Sequence, residues 1–545
     1  MSAVKQQPAA GAADGAGSWW FALAILGAAQ FVMVLDSSVM NVSISQIVAD
    51  LDTTIQGVQL AITAYTLVMA SLMLAGAKLG DILGSGRAFA IGLAVYGLGS
   101  LTTSLSPNLT VLLIGWSLVE GLGAALVLPA IVSLIASTYS GQRRALAFGV
   151  IGGVAGAAIA AGPLIGGWMT TELSWRYVFA GETVIVIGIL LARRRLVSPE
   201  RVAPPRLDLV GVALSSVGLG LIVFGILKSS EWGLIEPRGA LTIGGEEITP
   251  FGFSAVPFFI LAGFGLLAAF VLWEERLERA GRDTLLDRTL LRIVPLRAGL
   301  STLMMQQLIL LGTFFVLPVY LQVVLGLNAF ETGKRLFPLS VALFVAALAG
   351  PRLAAGIAPK RVAQIGLVAL AVASVVLLGT IDVELDEAEF ALSLVLFGIG
   401  AGLLLSQLGN VIMSSVDPAK TNEAGGLQGT AQNLGASLGT ALIGSVLIAA
   451  LTSGFVERVQ ENPAVPADVR ARVAQVEQKG VPVVPVDDVE QAALDEGVAP
   501  AQAQAVAADY GDAQLQGLKR AIGAVAIFAL LALWFTRRLP GARRP

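Results

Sequence analysis

Fourteen long apolar stretches, separated mostly by short polar connections, constrain this chain more than any other feature. They lie near 19–42, 56–77, 88–105, 109–131, 145–169, 176–193, 207–228, 254–273, 298–324, 336–357, 361–381, 389–414, 424–451 and 518–537. About 20 mainly apolar residues cross roughly 30 Å of hydrocarbon as a helix, the form that satisfies its own backbone groups there. The reading is an all-α membrane protein with fourteen transmembrane helices.

Composition agrees. Of 545 residues, 55% are hydrophobic and 13% charged, too little charge to cover a soluble surface of this size. Net charge is −3 and no basic tract occurs, so nothing points to nucleic acid. Cysteine is absent, which excludes disulfides and thiolate metal sites. Histidine is absent too, so a proton carrier here has to be a carboxylate. Residues 1–18 read as a flexible polar leader without the layout of a cleaved signal, making 19–42 a retained span.

Positive charge collects in cytoplasmic loops. With the N-terminus inside, 24 of the 35 Lys and Arg fall in cytoplasmic pieces, among them Arg143, Arg144, Arg193 to Arg195 and Arg276 to Arg297. Both termini are therefore expected in the cytoplasm, in a plasma membrane. The excess of Arg over Lys, with abundant Ala and Gly, suggests a bacterial source.

Intervals 229–253, 382–389 and 452–517 are placed outside. The last reads as a solvated insertion with short amphipathic helices in ADVRARVAQVEQ and DDVEQAALDEG. Gly76, Leu79 and Arg87 after the second span have equally spaced counterparts in Gly350, Leu353 and Arg361 after the tenth. The repeat divides the chain into a six-helix bundle (19–195), two inserted helices (207–273) and a second six-helix bundle (298–538). Repeated halves with a site between them are the usual build of secondary transporters.

Two motifs carry close-packing chemistry. In GAKLGDILGSGR (76–87), Gly76, Gly80 and Gly84 allow helix approach and a tight turn. Asp81 there can pair with Arg87 or cap the next helix. In GGVAGAAIAAGPLIGGW (152–168), Gly153, Gly162, Gly166 and Gly167 give small-residue spacing, and Pro163 weakens the helix locally. An ordinary positive-inside loop would also account for the first motif, and plain packing of one buried helix for the second.

Asp36, Glu120 and Glu182 fall well inside spans. Intramembrane acids are rare and face a cavity or a partner. Hydrocarbon favours the neutral acid, and water or a cation restores the ionised one, which is the logic of proton antiport. At about 1.5 Å per residue, Asp36 lies roughly 25 Å from the inner end of its helix and Glu120 roughly 16 Å from the outer end of its own. The two could therefore meet, with Glu182 more peripheral. Cavity candidates are Gln306, Gln307, Gln407, Asn410, Gln428 and Gln432, with Tyr65, Trp116 and Tyr320 as aromatic contacts for an organic cation.

The loop GAKLGDILGSGR resembles the signature loop of the major facilitator superfamily, and AGPLIGGW resembles the fifth-helix motif of its antiporters. MVLDSSVMNVSI (33–44), WRYVF (175–179), LDLVGVAL (207–214), LPVYLQVVLG (317–326) and EAGGLQGTAQNLGASLGTAL (423–442) resemble the fourteen-helix drug:proton antiporter branch. The resemblance implies the major facilitator fold and export of hydrophobic or amphipathic small molecules by alternating access. The proton gradient would drive it, without a cofactor, and the protein would act as a monomer. Departures are Ala158 for a glycine, Ser117 for an arginine, Glu120 for a glutamine and Glu182 for an asparagine. Two acids in place of neutral groups favour a cationic substrate. Rival readings are a dedicated exporter of one endogenous metabolite or self-made antibiotic, and a non-transporting sensor or assembly protein. No metal cluster, nucleophile–base pair or phosphate loop suggests an enzyme.

Overall fold

The computed structural model describes residues 16–139, 141–193, 207–237, 241–243, 246–353, 357–417, 420–476 and 481–541. Residues 1–15, most of the expected flexible leader, and 194–206, with most of one arginine-rich connection, lie outside them.

Fourteen long helices stand where the apolar stretches predict them. They are α1 (Ala16–Val42), α2 (Ile55–Leu83), α3 (Ser85–Ser104), α4 (109–138), α5 (Gly141–Glu172), α6 (Trp175–Ala192), α7 (Leu209–Trp232), α8 (Val256–Arg279), α9 (Val294–Val324), α10 (Ala329–Leu353), α11 (Pro359–Thr380), α12 (Glu387–Ser414), α13 (Thr421–Glu461) and α14 (Pro500–Thr536). Thirteen are long and apolar enough to cross a membrane; α3, diluted by Gly, Ser and Thr, packs among them. Successive helices run in opposite directions, so both ends of the described chain lie at one face, here called proximal. The opposite face, with the α1–α2 connection, is distal.

The packing repeats with an offset of eight helices. α1 packs on α5 as α9 packs on α13, α2 on α4 as α10 on α12, and α3 on α6 as α11 on α14. Across the seam, α2 meets α13 and α5 meets α10, a pair of contacts that the same offset exchanges. Two of the repeated glycines occupy matching places. A side chain at Gly76 would strike the Ala125 backbone of α4, and one at Gly350 would strike Ser406 of α12. α7 and α8 pair with each other, and α7 rests on both α2 and α13.

Gly84, at φ +85°, ends α2 and precedes α3. Arg87 is exposed. One expectation about connections needs correction. The interval 452–517 is mostly helix rather than loop. α13 continues to Glu461 and α14 begins at Pro500, where an Ala- and Gln-rich stretch favours helix ahead of the apolar core of α14. Between them lie Ala467–Val476 and Val486–Asp495. Val465, Val469, Val473, Val481 and Val483 are buried there. The Tyr510 hydroxyl of α14 donates to Pro482 O at 2.8 Å and accepts from Val484 N at 2.9 Å. The interval 229–253 holds a small antiparallel hairpin, β1 (Leu241–Ile243) and β2 (Glu246–Ile248).

Candidate functional site

α4 is not a regular helix throughout. Leu113–Glu120 form a π-helical run, in which each turn holds an extra fraction of a residue. Gly115, Trp116, Ser117 and Glu120 are all buried as a result. The Ser117 hydroxyl donates to Ala61 O of α2 at 2.9 Å, a neutral helix contact. Glu120 gains its room from α3: a side chain at Gly99 would come within 2.7 Å of the Glu120 Cα and Cβ.

Asp36, Glu120 and Glu182 converge from α1, α4 and α6, each offering an oxygen within 4.8 Å of the other two. Their exposures are 0%, 0% and 2%, so water does not reach them in this conformation. The Trp116 indole N–H donates to both Asp36 oxygens, at 2.9 and 3.0 Å, and Tyr65 stacks on that indole with centroids 4.7 Å apart. Glu182 Oε2 accepts from Tyr96 at 3.2 Å and from Ser100 at 3.1 Å. Glu182 Oε1 and both oxygens of Glu120 have no hydrogen-bond partner. Leaving a buried polar group unsatisfied costs about 1–3 kcal/mol, and more for a charged one. Two buried acids left with unpaired oxygens are therefore a poor way to stabilise a bundle, and a purely structural role for the cluster is disfavoured. Glu182, expected to be peripheral, is a full member of the cluster, since α6 packs on α3 beside α4.

The cluster lies inside the α1–α6 bundle and not in the space between halves. The other face of α1, with Gln30, Met33, Val34, Ser37, Ser38 and Asn41, lines a cavity of about 250 Å³ at the seam. α9, α10, α12 and α13 supply the facing wall, with Gln306, Gln307, Phe314, Gln432 and Asn433. A second cavity of about 540 Å³ shares Gln30 and Gln432 and continues toward the proximal end past Gln428. Among the described residues, neither lining holds a charged side chain.

Of the cavity residues read from the sequence, Gln306, Gln307, Gln428 and Gln432 line these spaces. Tyr65 and Trp116 sit against the acids instead. Tyr320 donates to Asp382 O at 2.6 Å near the distal end, Gln407 is buried against Ser406, and Asn410 is exposed; none lines either cavity. Gln30, Ser37, Ser38 and Asn41 were missed. Their spacing, one α1 face beside Asp36, was the available signal.

The seam is closed at the distal end. The Gln322 side chain donates to Val42 O at 2.8 Å and accepts from Ser45 N at 3.1 Å. Phe330 N donates to Thr171 Oγ1 at 3.1 Å, and Gln59 donates to Thr440 O at 2.9 Å. The small residues of α5 make the approach possible. A side chain at Gly162 would strike Ser38, one at Gly166 would come within 2.7 Å of Val39, and one at Gly167 within 2.5 Å of Ala329 O. Gly333 of α10 sits against Pro163 O, and Gly153 has room, 3.8 Å from Leu348. In the 76–87 loop, a side chain at Gly80 would meet nothing.

The family model described as Major Facilitator Superfamily matches residues 26–440. The puromycin resistance protein of Streptomyces alboniger is 30% identical over 477 residues, 86% of this chain and 89% of that protein. The tetracenomycin C resistance and export protein of Streptomyces glaucescens is 28% identical, over 84% of this chain and 81% of its own. A multidrug efflux pump of Mycolicibacterium smegmatis is 28% identical, over 88% and 92%. Among solved structures, a bacterial homolog of the human lysosomal transporter Spinster, inward-facing and unoccupied, superposes with a TM-score of 0.56. It covers 96% of this chain and 98% of its own at 13% identity, a likeness of fold alone.

Proposed function

Since the chain belongs to the Major Facilitator Superfamily, we propose that it exports hydrophobic or amphipathic small molecules in exchange for protons, by alternating access. One observation carries the reading: three buried carboxyls, two of them with oxygens that lack any hydrogen-bond partner, lie on one side of α1, and a seam cavity lies on its other side. The proximal end is cytoplasmic and the distal end external, in keeping with the charge distribution of the loops. The conformation described above is then closed to the outside, with its cavity continuing toward the cytoplasm. A substrate entering there meets apolar walls and the amides of Gln30, Gln306, Gln307, Gln432 and Asn433. Its binding comes from buried apolar area and a few oriented hydrogen bonds. The uncharged lining argues against a fixed cation-binding contact in this state, and favours amphiphiles that are neutral or only weakly basic.

Protons neutralise the acid cluster while it is dry. Rocking of the halves opens the distal seam, rehydrates the α1 region and changes the proton affinity of the cluster. α1 is the physical link, because Asp36 and the cavity-lining Ser37 are successive residues. A single chain contains both halves and the whole cavity, which supports action as a monomer. Several relatives bear the name of one antibiotic, which favours, as a second reading, a dedicated exporter of a single product.

The test is transport in proteoliposomes under an imposed pH gradient. It uses a panel of amphipathic antibiotics and dyes, with wild type, Asp36→Asn, Glu120→Gln and Glu182→Gln. The expected result is loss of gradient-driven export in folded variants. Normal export with full pH dependence in all three would overturn the carboxyl role, and transport of only one compound would select the dedicated exporter.

A further inference from the structure

We propose that the Asp36–Glu120–Glu182 pocket also binds one hard, oxygen-seeking cation of the size of Ca²⁺ or Na⁺, in competition with protons. The inference deepens the coupling role proposed above, and rests on that role only for its consequence in transport.

The geometry is that of a coordination site. An ion central to three oxygens no more than 4.8 Å apart lies at most about 2.8 Å from each, close to the 2.3–2.6 Å of Ca²⁺–oxygen bonds. Mg²⁺, which demands near-octahedral order and usually keeps several waters, suits so enclosed a pocket poorly. The donor set is also unspent. Both oxygens of Glu120 and Oε1 of Glu182 are buried and unpartnered, as is the hydroxyl of Tyr65. Tyr65 is not an acid. Its ring is 1% exposed and stacked on the indole that holds Asp36, with its hydroxyl directed toward that carboxylate without completing a hydrogen bond. It supplies a neutral oxygen as a fourth ligand.

The remaining bonds position the ligands. Trp116 fixes Asp36, and Tyr96 with Ser100 fixes Oε2 of Glu182, leaving Oε1 available. Among the described residues, no Lys or Arg forms an ion pair with any of the three acids. Neutralisation is left to protons or to an ion. Both would use the same oxygens, so each excludes the other.

The experiment is equilibrium binding of radioactive Ca²⁺ and, separately, Na⁺ to the purified full chain in detergent, at pH 8 and pH 5.5, with Mg²⁺ as a competitor. The expected result is one saturable ion per chain at pH 8, weakened at least tenfold at pH 5.5 and little displaced by Mg²⁺. Glu120→Gln and Glu182→Gln should each weaken it at least tenfold, Tyr65→Phe severalfold, and Asp287→Asn, far from the pocket, not at all. The Ca²⁺ and Na⁺ arms identify the ion. Should the acid variants fail to fold, proton release from the wild type on adding the ion, in weak buffer, takes their place. Roughly one proton or more released per ion bound supports the site, and none opposes it. Absence of saturable binding for both ions, or binding unchanged in folded Glu120→Gln, overturns it. Proton-driven export without ion binding would remove this inference alone, whereas ion binding without proton-driven export would remove the coupling role and keep the site.

Discussion

Trp116 donates one indole N–H to both carboxyl oxygens of Asp36, tying the distal half of α4 to the distal half of α1. The bond joins the acid cluster to the helix that also lines the seam cavity. Any movement of α1 during opening has to keep it, stretch it or break it.

Trp116→Phe preserves an aromatic ring for Tyr65 to stack on and removes the donor. A hydrogen bond contributes about 0.5–1.5 kcal/mol to a neutral partner and about 1.5–3 kcal/mol to a charged one, so this bond strengthens whenever Asp36 ionises. Gradient-driven export should fall roughly tenfold or more, while thermal unfolding in detergent shifts only slightly. Equal loss of folding and transport would mean that the indole is merely a core residue.

Three glycines give a graded test of packing. Gly80→Ala meets open space and should be neutral or slightly stabilising, because alanine favours helix by about 0.5–1 kcal/mol. Gly99→Ala forces Glu120 aside and should destabilise by about 1–3 kcal/mol, with export lost beyond that. Gly76→Ala strikes the Ala125 backbone still more closely than Gly99→Ala strikes that of Glu120, and should be the worst of the three. Melting temperatures of the purified variants give the order.

The closed distal seam depends on a few hydrogen bonds, so it should be adjustable. Gln322→Ala removes the bridge to Val42 and Ser45, and Gln59→Ala removes the one to Thr440. Both should shift the population toward a distal-open form. Because the chain has no cysteine, spin labels at Ala49→Cys and Glu384→Cys, both exposed at the distal end, would report the distance without background. A longer component should grow in each variant, and an unchanged distribution would mean that these bonds do not hold the seam.

At the proximal end, Lys420 pairs with Asp287 and joins the α8–α9 connection to the start of α13. Hydrogen bonds from Lys420 and Thr289 hold the Asp287 carboxyl below its usual range despite some desolvation, and Asp287 in turn raises Lys420. A depressed carboxyl stabilises the fold above its unfolded value and loses that contribution as pH falls through its folded one. A raised lysine contributes below its unfolded value and loses that as pH rises through its folded one. The pair should therefore act between about pH 4 and pH 10. Asp287→Asn should lower the melting temperature slightly at pH 7 in low salt, with the difference narrowing as pH falls toward 3 and shrinking in high salt. An equal difference at pH 3 would assign the effect to packing.

The sequence makes the spans easy to find, because one-sided solvation by lipid demands long apolar runs. It also announces α5, where Gly162 and Gly166 turn out to face Ser38 and Val39. The helix extensions of α13 and α14 are less legible, since the more polar residues beyond each apolar core, rich in Ala and Gln in α14, read equally well as helix or solvated linker. The faces of α1 are hidden for another reason. Asp36 and Ser37 are adjacent in sequence but belong to different environments, and only the packing of α4 and α6 decides which is which. Glu182 was underestimated likewise: its depth was readable, but its direction depended on α3 lying between α4 and α6. The π-helical run leaves no pattern in LIGWSLVE that hydropathy would detect.

That run has a mechanical consequence. A wide turn is a register offset held within a helix, and relaxing it to ordinary α geometry would rotate one side by up to about 100° and advance it about 1.5 Å per residue regained. Trp116 lies within the offset, and Glu120 closes it. α4 thus has an internal degree of freedom that could turn the indole away from Asp36 while both helix ends remain anchored, like a ratchet tooth slipping inside a fixed frame.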